Sequence, residues 1–441
     1  MKVTSLKSFL EDIPENYIAL EDEKKSIKYG KILSEVKSKI NIHELENESV
    51  LISKIDNFEL AKLLICLDGF VNKIILVPKD IDEKILQEFK SESKASKEIS
   101  GNHLGIHLKD IKKSKEKPFK KVTEWIIATS GTTNKPKLVR HTLSTLTRTT
   151  KKGLAKKESF TWGLAYDLFR FAGLQVFLQS FFGGSRLVIP EDVTNIKNVV
   201  DLFKKKNVNV ISATATYWRK FLMHDQSKHI NLNRITLGGE IADEQILKAL
   251  KERYVDARLS HIYASTEVGV GFSVQDGRSG FPLEFLEKGV GKQLMKIDKK
   301  GHLLIKPNNK IQKYLGDNTF HDDEGFINTG DLVKIKGDRV YFKGRSSGTI
   351  NVGGNKVQPE EVEKKLLESG LVSSAYVYAK QNSFTGSVVC ADVVASEGID
   401  LKNLKKNLLH SFRKLPTYMK PVMIKAVDEI RINSSGKVRR S

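Results

Sequence analysis

A run of hydroxyl, glycine and lysine residues follows an apolar segment in the first third of the chain. It covers residues 127–139 and reads IATSGTTNKPKLV. Small residues let backbone N–H groups approach phosphate oxygens, hydroxyls donate further hydrogen bonds, and lysine supplies positive charge. The run is neither a Walker A motif nor a G-x-G-x-x-G turn. A flexible polar loop is the alternative, but a run of this composition favours a polyphosphate-binding loop.

Four further segments combine charged, hydroxyl or aromatic residues, and three of them also contain glycine. The first, Gly238-Gly239-Glu240, joins a strand-like run (RITL) to an amphipathic segment. The others supply carboxylate, hydroxyl, guanidinium and ammonium groups. They are Tyr263-Ala264-Ser265-Thr266-Glu267, Thr329-Gly330-Asp331 followed by Gly344-Arg345, and Asn433-Ser434-Ser435-Gly436-Lys437-Val438-Arg439.

In this order, the five segments resemble the motifs of the adenylate-forming enzymes, a superfamily that includes acyl-CoA synthetases, firefly luciferase and the adenylation domains of peptide synthetases. The segments span residues 129–439. The resemblance implies an α/β fold in two domains. Residues 1–345 would form a large domain of layered sheets flanked by helices, with a β-rich subdomain and an abbreviated outer part. Residues 346–441 would form a small, mobile α+β domain.

The resemblance also implies how ATP is bound. The loop would wrap the β and γ phosphates, and the turn at 238–240 would lie against adenine, on which the ring of Tyr263 packs. Asp331 would accept hydrogen bonds from both ribose hydroxyls, and Arg345 would contact the ribose or a phosphate. The residues implied in ATP binding are Thr129, Ser130, Gly131, Thr132, Thr133, Lys137, Gly238, Gly239, Glu240, Tyr263, Asp331 and Arg345.

Three residues are implied in catalysis. Thr266 would hydrogen-bond the α-phosphate, and Glu267 would help to hold Mg²⁺, which prefers carboxylate and phosphate oxygens. Lys437 would bridge the acid's carboxylate and the α-phosphate as negative charge builds. Taken by itself, Lys437 is typical of a solvated terminal lysine; the motif around it favours the catalytic role.

The implied reaction has two halves: a carboxylic acid and MgATP give acyl-AMP and pyrophosphate, and a thiol, most simply CoA, then displaces AMP. The small domain would swing between the halves at a hinge near Ser347, where relatives usually have Asp or Lys. Gly353 and Gly354 would then line the tunnel for the pantetheine arm, since glycine permits close backbone approach. A tight hairpin is the alternative interpretation of these two glycines.

The acid pocket would be built from residues 162–174, 213–218 and 238–241. Its aromatic residues suit either an aryl or a medium-length aliphatic acid. Arg170 stands where many relatives have histidine, and it either pairs with an anionic or polar acid or lies at the surface. The pocket candidates are Trp162, Phe169, Arg170, Gly173, Thr214 and Trp218.

The elements that position these residues follow from hydrophobic patterning. Apolar, β-rich runs alternate with amphipathic segments, which is typical of an α/β protein. Residues 242–254 have helical periodicity with Asp243 near the start, and a second helix is expected from Pro359. A third is expected from Asp400, with Leu401, Leu404, Leu408 and Phe412 on its inner face. The strand candidates include 73–78, 124–129, 185–190 and 208–213.

Composition excludes several classes of protein. The chain has 441 residues and a net charge of +21, and no run approaches the roughly 18–20 apolar residues of a membrane span. The amino terminus lacks the apolar core of a signal peptide. Cys66 and Cys390 lie among apolar neighbours, as buried thiols do in a reducing compartment. A cytoplasmic protein without a zinc site is therefore expected.

The positive charge has two interpretations. The densest basic run, residues 109–121, is typical of an exposed loop, and a solvated surface that attracts polyphosphate explains the excess. No motif of nucleic-acid-binding domains is present. Within the enzyme class, the rival acceptor is the phosphopantetheine arm of an acidic acyl carrier protein. A non-catalytic nucleotide-binding protein, or a basic nucleic-acid-binding protein, is the alternative from another class.

Overall fold

The computed structural model of the chain describes most of its residues. The described ranges are 5–102, 105–111, 122–129, 136–150, 160–291, 293–307, 315, 321–382, 385–413, 415–433 and 436–438. The basic run at 109–121 therefore lies largely outside the described residues. No helix in these ranges is both long enough and apolar enough to cross a membrane.

Strands and helices alternate along most of the chain. The helices are α1 (Leu6–Leu10), α2 (Ile32–Lys39), α3 (Asn57–Leu67), α4 (Glu83–Ser93), α5 (Leu143–Leu146), α6 (Phe171–Phe182), α7 (Ile196–Lys205), α8 (Ala215–Leu222), α9 (Glu244–Arg253), α10 (Glu284–Lys288), α11 (Pro359–Glu368) and α12 (Leu401–Ser411). The strands are β1 (Ile18–Glu21), β2 (Ser26–Lys28), β3 (Ser49–Ser53), β4 (Lys73–Leu76), β5 (Lys97–Asn102), β6 (Gly105–Asp110), β7 (Glu124–Ala128), β8 (Leu138–Thr142), β9 (Thr161–Leu164), β10 (Arg186–Val188), β11 (Val210–Ala213), β12 (Arg234–Gly238), β13 (Arg258–Ser265), β14 (Gly269–Val274), β15 (Phe281–Pro282), β16 (Leu294–Ile297), β17 (His302–Lys306), β18 (Ile327–Lys336), β19 (Arg339–Arg345), β20 (Ile350–Val352), β21 (Asn355–Val357), β22 (Val372–Asn382), β23 (Gly386–Ala395) and β24 (Met423–Ala426).

The largest sheet has eight strands in the order β14-β13-β12-β11-β9-β10-β1-β2. The six strands from β13 to β1 are parallel, and β14 and β2 add antiparallel edges. Because the carboxyl ends of parallel strands share one edge, the segments that follow them lie side by side. This edge, called the carboxyl edge below, gathers residues 165–170, 214, 239–240 and 266–267.

The second sheet has six strands in the order β6-β5-β3-β4-β7-β8. Its central strands β5, β3, β4 and β7 are parallel, and β6 and β8 pair antiparallel at the edges. β7 leads into the predicted phosphate loop and β8 leads out of it. The strand predicted at 124–129 is confirmed as β7, and those at 73–78, 185–190 and 208–213 as β4, β10 and β11.

Three smaller sheets complete the molecule. A five-stranded antiparallel sheet has the order β15-β19-β18-β17-β16, and it pairs Asp331 on β18 with Arg345 on β19. The carboxyl-terminal part holds the hairpin β20-β21 and the sheet β22-β23-β24, with α11 and α12. The predicted α/β architecture, with a β-rich part and a small α+β unit, is confirmed.

The helices begin where local chemistry predicts. The carboxylate of Asp243 accepts hydrogen bonds from the backbone N–H groups of Gln245 and Ile246, which caps α9. Pro359 occupies the first turn of α11. The inner face predicted for α12 is correct at Leu404 and at two later positions but wrong at Leu401, which is 61% exposed. Leu401 is the first residue of the helix, and only the later turns contribute to the core.

A cluster of charged side chains surrounds the buried Glu59 and Lys62 of α3. The side chain of Lys62 is fully buried, and its Nζ lies 2.8 Å from Oε1 of Glu59 and also contacts Glu35. Oε1 of Glu59 is also 2.9 Å from Nζ of Lys39 and 3.2 Å from Nζ of Lys25. Although burial opposes ionisation, these hydrogen bonds and charges lower the pKa of Glu59 to about 2. Below, these five residues are called the Glu59 cluster.

A second buried carboxylate has only neutral partners. Oδ1 of Asp68 accepts a hydrogen bond from Nε1–H of Trp125 at 2.9 Å, and Oδ2 accepts one from the backbone N–H of Leu6 at 2.8 Å. Burial raises the pKa of Asp68 to about 6, against the effect of both hydrogen bonds. Asp68 thereby ties α1 to the end of α3 and to β7.

Candidate active site

The carboxyl-terminal tail brings Lys437 to the carboxyl edge of the eight-stranded sheet. The Thr214 hydroxyl donates a hydrogen bond to the carbonyl of Gly436, which has a φ of +71°. The backbone N–H of Asn433 donates to the Lys437 carbonyl at 2.8 Å. A Cβ atom on Gly239 would lie 3.4 Å from Cε of Lys437. That distance is an ordinary contact, and glycine is favoured at 239 by its φ of +82°.

The ammonium of Lys437 lies among charges of both signs. Burial lowers its pKa below that of an ordinary lysine, Arg345 and Arg170 lower it further, and Glu240 and Asp331 oppose the shift. Among the described residues, none forms a hydrogen bond or ion pair with this ammonium. A half-buried cation in this state favours the binding of an anion.

Asp331 is the centre of a charged group on the five-stranded sheet. Its side chain is 14% exposed, and Oδ1 accepts a hydrogen bond from Nε–H of Arg345 at 3.0 Å. Burial alone would lower the pKa of Arg345, but Asp331, Tyr263 and Glu267 outweigh it and raise that pKa. A carboxylate has about four acceptor positions. Arg345 and the hydroxyl of Tyr263 fill two of these positions, so Asp331 can accept two more hydrogen bonds. Its bonds to the ribose stay a prediction.

Tyr263 lies next to this carboxylate. Its hydroxyl donates a hydrogen bond to Oδ2 of Asp331, and its ring stacks with those of Phe272 and Phe342, each at a centroid distance of 5.3 Å. Burial and the charge of Asp331 raise the pKa of Tyr263 well above its usual value. The phenol is therefore a neutral donor. Its stacking on adenine stays a prediction.

The turn at 238–240 is fixed to the start of α8. Oε2 of Glu240 accepts a hydrogen bond from the backbone N–H of Thr216 at 2.8 Å. The hydroxyl oxygen of Thr214 accepts one from the backbone N–H of Tyr217 at 3.1 Å and so caps the same helix. A carboxylate and a hydroxyl at a helix amino terminus satisfy free N–H groups and favour the helix dipole. The turn and the lysine tail are thereby held to one helix end.

The base of the predicted phosphate loop is closed by two hydrogen bonds. The backbone N–H of Thr129 donates to the Lys137 carbonyl at 2.8 Å, and the backbone N–H of Lys137 donates to the Thr129 hydroxyl oxygen at 3.0 Å. Thr129 is buried and Lys137 is exposed. The predicted loop residues Ser130, Gly131, Thr132 and Thr133 lie outside the described residues.

His141 is a site residue that sequence reasoning missed. It lies on β8, is 1% exposed, and its Nε2 lies 3.0 Å from the carbonyl oxygen of Thr266. It thereby links the strand after the phosphate loop to the turn that carries Thr266 and Glu267. The signal in the sequence is faint: His141 is a polar residue two positions after buried Val139, on the same face of a short strand.

The side chain of Arg170 is only 11% exposed, so the interpretation of a surface arginine is wrong. Nη2 lies 2.7 Å from Oδ1 of Asp80, and Nη1 donates to the carbonyl of Thr129 at 3.5 Å. Nε is buried without a hydrogen-bond partner among the described residues. The other interpretation, that Arg170 pairs with an anionic or polar acid, stays a prediction.

The other residues predicted for the acid pocket pack in the core. Trp162 is 8% exposed and Phe169 fully buried. Nε1–H of Trp218 donates to the carbonyl of Thr236 at 3.0 Å. A Cβ on Gly173 would come within 2.2 Å of the carbonyl oxygen of Asp167, so Gly173 is required for close packing of α6 on the preceding turn. Thr214 is the pocket candidate that adjoins the lysine tail.

The predicted hinge and thiol tunnel lie beyond Arg345. Ser347 is exposed in a single 3₁₀ turn, residues 346–348. Gly353 and Gly354 form the turn of the β20-β21 hairpin, with φ values of +56° and +86°. The hairpin interpretation of these glycines is thus confirmed, and their role toward a thiol stays a prediction.

Comparison with protein families gives two matches. The AMP-binding enzyme family matches residues 30–315, and the C-terminal domain of AMP-binding enzymes matches residues 361–437. The first match covers more than half of the chain. The two matched segments fall on either side of the predicted domain boundary.

Individual relatives include ligases and peptide synthetases. The 2-succinylbenzoate–CoA ligase of Listeria monocytogenes serotype 4b (strain F2365) is 27% identical over 337 residues, covering 72% of this chain and 68% of that ligase. Gramicidin S synthase 2 of Brevibacillus brevis is 26% identical over 347 residues, covering 72% of this chain and 8% of that synthase.

Solved structures share the fold over almost the whole chain. An anthranilate CoA ligase bound to anthranoyl-AMP has a TM-score of 0.78 at 16% identity, covering 98% of this chain and 95% of that one. The o-succinylbenzoate CoA synthetase of Bacillus subtilis, bound to its acyl-adenylate intermediate, has a TM-score of 0.70 at 18% identity, covering 98% and 96%. At these identities the likeness establishes the fold alone.

Proposed function

The chain belongs to the family of AMP-binding enzymes, and on this basis we propose that it activates a carboxylic acid with ATP and transfers the acyl group to CoA. In the first half-reaction, a carboxylate oxygen attacks the α-phosphorus of ATP. The bond from that phosphorus to the leaving oxygen breaks, and acyl-AMP and pyrophosphate form. In the second half-reaction, a thiolate sulfur attacks the acyl carbon, the acyl–oxygen bond breaks, AMP leaves, and the thiol proton passes to solvent.

The observation that carries this proposal is the ammonium of Lys437 at the carboxyl edge, which forms no hydrogen bond or ion pair with any residue that the structure describes. Adenylation brings two anions together, and a cation without a fixed counter-ion is suited to lie between them as charge builds. Asp331 and Arg345, on the five-stranded sheet, would hold the ribose end of ATP. The ends of the nucleotide would thus be bound by two different sheets.

Magnesium fits the donor groups available. No group of three His, Cys, Asp or Glu side chains in the described part of the chain could hold a metal ion. Glu267 offers a single carboxylate, and Mg²⁺ is commonly held by one or two carboxylates together with substrate phosphates. Glu267 would bind Mg²⁺ in this way, and the bound ion would neutralise phosphate charge.

The remaining assignments complete the proposal. A boundary at residue 345 would separate a large ATP- and acid-binding domain from a small domain that carries Lys437. Gly353 and Gly354 would face the thiol after that domain turns about Ser347. The two cysteines are buried free thiols, which accords with a cytoplasmic location. Two relatives are named for aryl acids, so aryl acids are the first substrates to test.

The test is acid-dependent release of pyrophosphate from MgATP, measured over aryl, aliphatic, hydroxylated and amino acids. Hydroxylamine traps the acyl-adenylate, and Lys437→Ala is the control. We expect one class of acids to support release in the wild type and none to do so in the variant. CoA added with the best acid should then give a thioester and AMP in equal amounts.

Two other outcomes would change the proposal. Pyrophosphate could be released while a thioester forms only on a phosphopantetheinylated carrier protein. The carrier protein, and not CoA, would then be the acceptor. ATP binding without release under any acid would indicate a non-catalytic nucleotide-binding protein.

A further inference from the structure

His141 is buried on β8, the strand that follows the predicted phosphate loop, and it contacts the turn that carries Thr266 and Glu267. β8 leaves the phosphate loop at Lys137, and His141 follows on the same strand, paired with Trp125 of β7. The ring of Phe171, at the start of α6, packs against the imidazole at a centroid distance of 5.7 Å. The imidazole thus has contacts on the strand, the helix and the turn at Thr266.

The hydrogen bond to Thr266 determines the tautomer. A backbone carbonyl only accepts, so Nε2 of His141 must carry the proton that it donates at 3.0 Å. Nδ1 is then an acceptor, and it faces the hydroxyl oxygen of Thr145 at 3.4 Å. Since 125 residues separate His141 from Thr266, this bond joins parts of the chain that local structure does not hold together.

The imidazole acts as a neutral group. Burial lowers the pKa of His141 to about 3, although the bond to Thr266 favours the charged form. At neutral pH it therefore carries no charge toward a phosphate, and with one nitrogen bonded to a carbonyl it is poorly placed to exchange protons with a substrate. What it supplies is a fixed position for the Thr266 peptide.

We propose that His141 is a positioning residue for adenylation, which holds the Thr266–Glu267 turn at a fixed place relative to β8, the strand that follows the predicted phosphate loop. This inference rests on the proposed function. The β and γ phosphates would be bound by the loop and the α-phosphate by Thr266. In-line attack requires these binding groups to keep fixed positions relative to one another. Small misplacements of positioning groups lower the rate by large factors.

The expected kinetic signature separates positioning from binding. If the carbonyl of Thr266 is released, the α-phosphate loses alignment in the transition state, while the ribose contacts of Asp331 remain. We therefore expect kcat for pyrophosphate release to fall roughly 10–100-fold, the range found when supporting hydrogen bonds are removed. The KM for MgATP should change less than about threefold, since most contacts with the nucleotide are kept.

The test compares four variants with the acid that supports the fastest release. His141→Gln places an amide N–H near the position of Nε2 and should retain kcat within about threefold. His141→Asn is polar but too short to reach Thr266, and His141→Leu lacks a donor; both should lose kcat. His261→Leu is the matched control: His261 is also buried, and its Nε2 lies 3.0 Å from the Arg278 carbonyl, away from the phosphate segments. It should keep wild-type kcat.

Circular dichroism and gel filtration establish which variants are folded. If His141→Leu does not fold, the comparison of His141→Gln with His141→Asn still tests the positioning role. Wild-type kcat in folded His141→Asn, or an equal loss in His141→Gln, would overturn the positioning role. So would a rise in KM with kcat unchanged. A wild-type protein that releases no pyrophosphate with any acid refutes the proposed function itself, which is a different result from active wild type with unaffected variants.

Discussion

Lys62 is fully buried and Lys437 half-buried, and the residues around their ammonium groups differ. In the Glu59 cluster, Lys62 lies 2.8 Å from one carboxylate and contacts a second. At the carboxyl edge, the ammonium of Lys437 is near Glu240 and Asp331 without bonding to either, and two arginines are also near. The fold gives one ammonium fixed carboxylate partners and gives the other none among the described residues, as the proposed role of Lys437 toward an anionic ligand requires.

The difference indicates how to separate structural from functional buried charge. A buried ion is costly unless it is paired and hydrogen-bonded. Lys62 meets that condition within the chain, so its contribution is to stability. The cost at Lys437 is retained in the folded protein and would be offset when an anion binds, which is a common arrangement in active sites.

The largest effect is expected from Lys437→Ala. Without the ammonium, adenylation should fall by roughly 10²–10³, since stabilisation of developing charge is lost. Consumption of a chemically prepared acyl-adenylate should continue. Pyrophosphate release and thioester formation measure the two steps separately, with the exposed Lys425→Ala as control. Adenylation at the wild-type rate would exclude Lys437 from catalysis.

Lys62→Met reverses the pattern. The free energy of unfolding should fall by about 2–4 kcal/mol, somewhat less than for a fully orphaned buried charge, because Lys25 and Lys39 still face Glu59. Adenylation per folded molecule should stay within about twofold. Urea unfolding and pyrophosphate release give the two quantities. A loss of activity larger than the loss of folded protein would mean that the cluster also supports the site.

Asp68 extends the comparison to a buried carboxylate whose partners are neutral. Its folded-state pKa of about 6 lies above the ordinary aspartate value. Above pH 6 the folded protein must therefore hold this carboxylate in its unfavourable ionised form, which lowers the free energy of unfolding. That penalty is lost as the pH falls through 6 toward 4. The stability of the wild type relative to Asp68→Asn should therefore rise by on the order of 2 kcal/mol from pH 7 to pH 4.

Urea unfolding of both proteins across this pH range measures the difference. A difference that stays constant with pH would show that Asp68 titrates as an ordinary aspartate.

A smaller effect is expected at the ribose end. Asp331→Asn replaces a charged acceptor with a neutral one and weakens the bonds from Arg345 and Tyr263. The KM for MgATP should rise roughly tenfold, equivalent to about 1.4 kcal/mol, with kcat changing less. Initial rates of pyrophosphate release over a range of MgATP check this. A loss confined to kcat would place Asp331 with the reacting groups instead of the ribose.

Local chemistry accounts for what the sequence predicts well. Asp243 caps α9 and Pro359 starts α11 because caps depend on neighbours within a turn. The parallel order of the large sheet also brings together the segments after β9, β11, β12 and β13, so residues on separate motifs meet at one edge. Lys437 and Asp331 are recognisable only through the motifs around them, because neither residue is distinctive by itself.

Contacts between distant segments explain what the sequence does not predict. His141 meets Thr266 across 125 residues, and Arg170 meets Asp80 across 90. Neither pair carries a local pattern, because each depends on how the two larger sheets and their loops lie against each other. The burial of Trp218 has the same origin: the sequence predicts it for the acid pocket, whereas its indole N–H donates to the Thr236 carbonyl on β12.

The sharing of Glu59 among three lysines has an evolutionary consequence. Lys25, Lys39 and Lys62 all lie within 3.2 Å of Oε1 of Glu59, so a substitution at one leaves the carboxylate with two cations. We therefore expect the more exposed members, Lys25 and Lys39, to be exchanged one at a time at little cost, and Lys62 to be retained. Lys437 has no such substitute among the described residues, and its mutational history should be that of an invariant position inside a tolerant protein.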